Sequence, residues 1–219
     1  MSGLRRRWVV AHFSLGVMAG WTSGVVMPAN AAAEPPVILV VGDSLSAEYG
    51  LKAGTGWVAL LQARLVEQKK PHRVVNASIS GDTTSGGRSR LPVALRTHKP
   101  AIVILELGGN DALRGLPLSS TRDNLLAMAR AAHAAGAKVI VVGMQVPPNY
   151  GSSYARDFEG LFAEVAKQAQ AGLVPFLLKG VADRTDAMDW FQPDRIHPLA
   201  KAHPRMLDNV WSALRPLLG

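Results

Sequence analysis

Hydrophobic and polar positions alternate in blocks along most of the chain. Apolar, β-branched runs of strand length stand at 37–41, 73–77, 101–107 and 138–143, with a shorter one at 173–178. Between them lie longer stretches with helical spacing: Trp57 to Gln68, Gly87 to Thr97, Thr121 to Ala135, Tyr154 to Ala171 and Leu199 to Leu217. In the first, Trp57, Leu60, Leu61, Leu65 and Val66 fall near one face, which is the 3.6-residue period of an amphipathic helix. Thr121, ahead of Arg122-Asp123-Asn124, reads as an N-cap. Gly136 and Gly172 read as helix stops before the next strand. Strands alternating with helices predict βαβ units, hence an α/β domain with one parallel sheet and helices on both faces. No repeat and no linker interrupts the pattern from Glu34 to Gly219.

Each strand breaks into small and polar residues. In a parallel sheet all such breaks leave the same edge, where ligands bind in open α/β folds. Ser44, in Gly42-Asp43-Ser44-Leu45-Ser46, follows the first strand. Gly81 follows the second, Asn110 the third and the loop Pro147-Pro148-Asn149-Tyr150-Gly151 the fourth. His197 lies beyond the fifth, just before the last helix. Residues far apart in sequence are therefore expected over one crevice.

Composition narrows the classes. The 219 residues are 48% hydrophobic, enough for one domain with a full core. The absence of Cys excludes disulfides, a Cys nucleophile, Cys-rich zinc sites and a Cys-linked lipid anchor. The net charge of +8 includes Arg5, Arg6 and Arg7, and no acidic residue precedes Glu34. Taking those three away leaves +5, scattered rather than clustered, so nucleic-acid binding is not expected.

The first 31 residues read as a cleaved signal peptide, with the boundary between 31 and 33. Arg5-Arg6-Arg7 form a basic n-region, Trp8 to Met27 is mostly apolar and uncharged, and Ala29-Asn30-Ala31 is the best small-residue cleavage site. The alternative is an uncleaved anchor, which Gly16, Gly20, Ser23 and Gly24 weaken as a stable span. Export to the periplasm or medium is expected, with no membrane span left after processing.

The chemistry rests on four breaks taken together. A serine hydroxyl is a poor nucleophile until a base takes its proton. His197 is the best-placed base: Asp194 stands three residues earlier, and Pro193 and Pro198 hold both on a constrained loop. Asp194 can then fix the imidazole tautomer, although by itself it could equally cap the following helix. His203 is the nearest rival base. An ester-cleaving transition state also needs oxyanion donors set in advance. The Ser44 and Gly81 backbone N–H groups and the Asn110 amide are the candidates; a turn glycine and an Asx turn are the bland readings of the last two.

These residues carry a family resemblance. Gly42-Asp43-Ser44-Leu45-Ser46, Gly81 within Asn76 to Thr83, Gly108-Gly109-Asn110-Asp111 and Asp194-Arg195-Ile196-His197-Pro198 resemble the four blocks of the SGNH, or GDSL, hydrolases. Longer matches, Glu106 to Gly115 and Pro147 to Gly151, resemble its periplasmic acyl-CoA thioesterase/lysophospholipase/arylesterase branch. The resemblance spans residues 37 to 217. It implies a flavodoxin-like three-layer α/β/α sandwich with a mainly five-stranded parallel sheet. It also implies a Ser44–His197–Asp194 triad and an oxyanion hole from Ser44, Gly81 and Asn110.

The expected function is a serine esterase that cleaves acyl esters and thioesters, lysophospholipids among them, through an acyl-enzyme. Two alternatives remain: a carbohydrate acetylesterase with the same mechanism, and a non-catalytic phosphate-binding module built on the Gly42–Ser46 turn. No metal cluster is apparent and no cofactor is expected; the protein is expected as a monomer. Val146, Pro147 and Tyr150 are candidates to wall an acyl groove, and ordinary loop packing explains them nearly as well. Asp43, Asp82 and Asp111 are expected to fix loops. Glu106, a carboxylate inside an apolar strand, needs a partner; an ion pair with an Arg is expected. Arg88, Arg90 and Arg114 are expected as solvated surface charge.

Overall fold

Strand β1 (Val37–Gly42) is buried along its whole length, because parallel neighbours flank it and helices cover both faces. The computed structural model describes residues 34–219. Within them β2 (Arg73–Asn76), β3 (Ile102–Glu106), β4 (Lys138–Val142) and β5 (Gly172–Val174) complete a five-stranded, all-parallel sheet in the order β2-β1-β3-β4-β5. That order reverses between β1 and β3, the switch point at which doubly wound folds bind ligands. The β1–β3 register pairs Gly42 with Glu106, so the Ser44 turn and the Asn110 loop leave the sheet side by side.

Among the described residues six α-helices connect and cover the strands: α1 (Trp57–Glu67), α2 (Thr84–His98), α3 (Gly109–Leu113), α4 (Leu118–Ala134), α5 (Ser152–Ala169) and α6 (His203–Leu214). α1 packs with α6, while α2, α4 and α5 pack together, giving a layer of helices on each side of the sheet. The core is the central strands β1, β3 and β4, except for the exposed Lys138, plus Trp57 and Leu61 of α1 and Phe158 and Phe162 of α5, while the edge strands β2 and β5 are only partly buried. The N-terminus of α1 is closed by His203: its Nδ1 accepts the Trp57 N–H at 3.0 Å.

Element boundaries depart from the hydrophobic pattern where polar chemistry decides them. α4 starts at Leu118 behind Pro117, so Thr121 is not its N-cap. Thr121 lies wholly buried inside the helix and donates its hydroxyl to Asp111 Oδ1 at 3.2 Å. α2 starts at Thr84, not Gly87, because the Thr83 hydroxyl accepts from the Gly86 N–H and provides the cap. Gly87 is then a contact residue against Leu107 rather than a helix start. α5 ends at Gln170 in left-handed conformation, and Gly172 opens β5 instead of closing the helix. β5 stops at Val174 because Pro175 has no N–H for the ladder. The last helical stretch is α6 flanked by 3-10 turns at Ala200–Ala202 and Arg215–Leu217. The expected leader lies outside the described residues.

Candidate active site

The β1 strand ends in a turn that its own Asp43 builds. The Asp43 carbonyl accepts the N–H groups of Ser46 (3.3 Å) and Ala47 (2.9 Å), and its carboxylate accepts the Leu45 N–H at 3.0 Å. Asp43 is buried, as its loop-fixing role requires, while Ser44 remains partly exposed at the rim. Burial pushes the Asp43 carboxyl up to about 6, against the pull of the Leu45 N–H, the Asn110 amide and His197.

Ser44 Oγ lies 2.9 Å from His197 Nε2, and His197 Nδ1 lies 2.7 Å from Asp194 Oδ2. The other Asp194 oxygen accepts the N–H groups of Ile196 and His197, each at 3.0 Å. Asp194 therefore both caps its loop and pairs with the ring; the two readings of this residue are not exclusive. The His197 backbone N–H, foremost, holds the Asp194 carboxyl down at about 2, so the anion persists across the neutral range. With Nδ1–H donated to that anion, Nε2 is the ring nitrogen left to accept the Ser44 proton.

The loop that carries both residues is clamped. Phe191 and Pro198 form an antiparallel bridge, and the Gln192 N–H donates to the His197 carbonyl at 2.7 Å. The Gln192 side chain reaches across to the Tyr49 carbonyl at 2.9 Å and ties this loop to the segment after Ser44. The Tyr49 ring sits 4.3 Å, centre to centre, from the His197 ring. Neither Gln192 nor Tyr49 stands out in the sequence. A polar residue next to Pro193, five before His197, is the sole faint signal.

Asn110 is the second residue of α3 and donates its amide Nδ2 to Asp43 Oδ2 at 3.0 Å. One amide hydrogen is thereby fixed, and the other is left for a ligand. Gly81 has φ +78, a conformation that favours glycine, and its carbonyl accepts from Arg114 Nη2 at 2.7 Å. Arg114 also donates its backbone N–H to the Asn110 carbonyl, so the Gly81 loop and α3 are joined. Among the described residues no hydrogen-bond acceptor is assigned to the Ser44 or Gly81 N–H.

The remaining candidates sort themselves. His203 is buried and engaged with Trp57; burial pushes its pKa down, so it is not a rival base. Asp111, buried, accepts from the Thr84 N–H and hydroxyl. Asp82 pairs with Arg90 at 2.7 Å. Arg90 is no solvated charge: it also donates to the carbonyls of Gly42 and Ala77 and stitches β1 to the Gly81 loop. Among the described residues Glu106 has no Arg partner; its donors are the Ser46 hydroxyl and the Asp43 N–H. Tyr150 stacks on Tyr154, Val146 packs partly against the core, and Pro147 is exposed. The phosphate-cradle reading fails on the turn itself, because the N–H groups of Leu45, Ser46 and Ala47 are all taken by Asp43. The arrangement can transfer a proton from Ser44 to His197 beside two free N–H donors and an amide, which is the geometry of acyl transfer.

Residues 40–205 match the GDSL-like lipase/acylhydrolase family. The chain is 50% identical to "Esterase TesA" of Pseudomonas aeruginosa over 202 residues, which cover 92% of this chain and 98% of that protein. It is 38% identical over 188 residues to "Thioesterase 1/protease 1/lysophospholipase L1" of Escherichia coli K12, covering 86% and 88%. The crystal structure of the psychrotrophic esterase EstA from Pseudoalteromonas, inhibited by monoethylphosphonate, superposes with a TM-score of 0.77 at 36% identity, covering 83% of this chain and 98% of that one.

Proposed function

Because the chain belongs to the GDSL-like lipase/acylhydrolase family and is a serine hydrolase of esters and thioesters, we propose that Ser44, His197 and Asp194 carry the reaction. The observation that supports this most is the unbroken relay from Ser44 Oγ through His197 to Asp194, at 2.9 and 2.7 Å. His197 takes the Ser44 proton as Oγ attacks the acyl carbon, then gives it to the leaving alcohol or thiol. Water repeats the sequence on the acyl-Ser44 ester, with His197 as base again. Asp194 stabilises the imidazolium and stays ionised throughout.

The oxyanion is assigned to the N–H groups of Ser44 and Gly81 and the free amide hydrogen of Asn110. Asn110→Ala is expected to lower kcat by about 10²–10³, with KM little changed. Steady-state kinetics on a short-chain p-nitrophenyl ester, with a circular dichroism melt alongside, check this. Unchanged kcat with raised KM would reduce Asn110 to a binding residue, and a lost melting transition would make its role structural.

The substrate class is a single acyl chain on an oxygen or sulfur leaving group, lysophospholipid included; the names of the Escherichia coli relative support it. Val146, Pro147 and Tyr150 are proposed to border the acyl chain, since their loop leaves β4 at the same sheet edge, beside the β3 loop of Asn110. Residues 1–31 are proposed as an export signal to the periplasm, removed after Ala31 or within the next two residues. N-terminal sequencing of the mature protein should begin at 32–34. A protein that keeps Met1 and fractionates with membranes would instead be anchored.

A further inference from the structure

β3 ends on a carboxyl group that pairs with no cation among the described residues. Glu106 is fully buried opposite Gly42. Its Oε2 accepts the Ser46 hydroxyl at 2.6 Å and the Asp43 N–H at 3.3 Å, while its Oε1 meets no partner. A Cβ at Gly42 would stand 2.7 Å from that Oε2 and 2.8 Å from Ser46 Oγ. The missing side chain at 42 is thus what lets the Glu106 carboxyl lie under the turn. Its two donors flank Ser44 in sequence. One of them, Asp43, holds the Leu45 N–H and the Asn110 amide through its own carboxylate. A single side chain on β3 therefore touches both sides of the nucleophile and, through Asp43, reaches the oxyanion amide.

We propose that Glu106 is a positioning residue whose Oε2 acceptor, not its charge, fixes the turn of Ser44 and the stance of Asn110. This rests on the roles assigned above to those two residues. The surrounding charges leave Glu106 without a counter-ion. Arg90 is committed to Asp82 and to backbone carbonyls, Asp111 to Thr84 and Thr121, and His197 to Asp194. Asp43 faces Glu106 as a second carboxylate. Burial, and then that neighbour, push Glu106 well above the usual carboxylate range. Asp43 keeps two donors on its own carboxylate, the Leu45 N–H and the Asn110 amide. A protonated carboxyl still offers an oxygen as an acceptor, so the two hydrogen bonds at Oε2 do not require the charge.

Glu106→Gln keeps the acceptor without a carboxyl group, and Glu106→Leu fills a similar volume without it. Kinetics on a p-nitrophenyl ester across pH, with thermal melts, separate the two. Glu106→Leu is expected to lose about tenfold or more in kcat at little-changed KM. It should also melt lower than the parent, since the Ser46 hydroxyl and the Asp43 N–H lose their buried acceptor. Glu106→Gln should stay within about threefold in kcat and leave the acid limb of the pH profile in place. Wild-type kcat in Glu106→Leu overturns the proposal. So does a Gln variant as poor as the Leu variant, or one with a displaced acid limb. If Glu106→Leu does not fold, Ser46→Ala decides: lowered kcat at constant KM supports the proposal, and wild-type kcat refutes it. Phosphonate labelling of the parent enzyme is the separate check. An unlabelled Ser44 sinks the nucleophile assignment, whereas a labelled Ser44 beside a fully active Leu variant sinks the role of Glu106 alone.

Discussion

Ser44→Ala is expected to remove essentially all ester hydrolysis, about 10⁶-fold in kcat by analogy with serine proteases, while the protein stays folded. On the proposed mechanism the Ser44 hydroxyl is the attacking atom, so its removal stops the first step. Ser46 is the nearest other serine, but its hydroxyl is turned inward and bound to Glu106 at 2.6 Å. Ser44 itself is partly exposed, and its one side-chain partner is His197, so its loss leaves no cavity and no orphaned core group. The melting temperature should move by no more than a degree or two, as for a surface substitution of about ±0.5 kcal/mol. A variant that retains more than about a thousandth of wild-type kcat would contradict a reaction routed through Ser44 Oγ.

His197→Ala should cost nearly as much, and for a linked reason. Without Nε2 the Ser44 proton has no acceptor in the attack step, and the leaving group has no donor in the next. On the proposed mechanism the two residues act as one device, so their losses should not add. Ser44→Ala/His197→Ala should be no worse than either single variant, within about threefold, as found for linked catalytic residues elsewhere. KM should change little, because neither side chain is assigned to ground-state binding. His203→Ala provides the contrast. It removes the acceptor for the Trp57 N–H at the start of α1, so stability should fall while the pH dependence of kcat is kept. Full activity in His197→Ala, or activity lost only in His203→Ala, would reassign the base.

The parallel sheet was legible because its strands are unbroken apolar runs, and polar breaks at their ends marked one edge. Ser44, Gly81 and Asn110 were legible for the same reason, since each follows the stop of such a run, whereas Asp194 and His197 lie well beyond β5 and were legible from their three-residue spacing between two prolines. What the pattern missed is held by contacts between distant segments. Thr121 reads as a cap by residue type, yet it serves Asp111, ten residues earlier in sequence and on another helix. Glu106 reads as half of an ion pair, because burying a carboxylate ordinarily demands a cation. In the fold, Gly42 makes room, and the Ser46 hydroxyl and Asp43 N–H donate where an Arg was expected. Gln192 and Tyr49 brace His197 across 143 residues of sequence, a distance over which no local spacing rule acts.

The central claim is that acyl transfer proceeds through Ser44 Oγ. Its most direct test is covalent. The purified protein is inactivated with a p-nitrophenyl alkylphosphonate, digested, and its peptides mapped by mass spectrometry. One equivalent of phosphonyl group should appear on Ser44, released p-nitrophenol should match it mole for mole, and hydrolysis should fall in parallel. An adduct on Ser46, Ser80 or any other residue, or full hydrolysis by protein already modified at Ser44, would contradict the account.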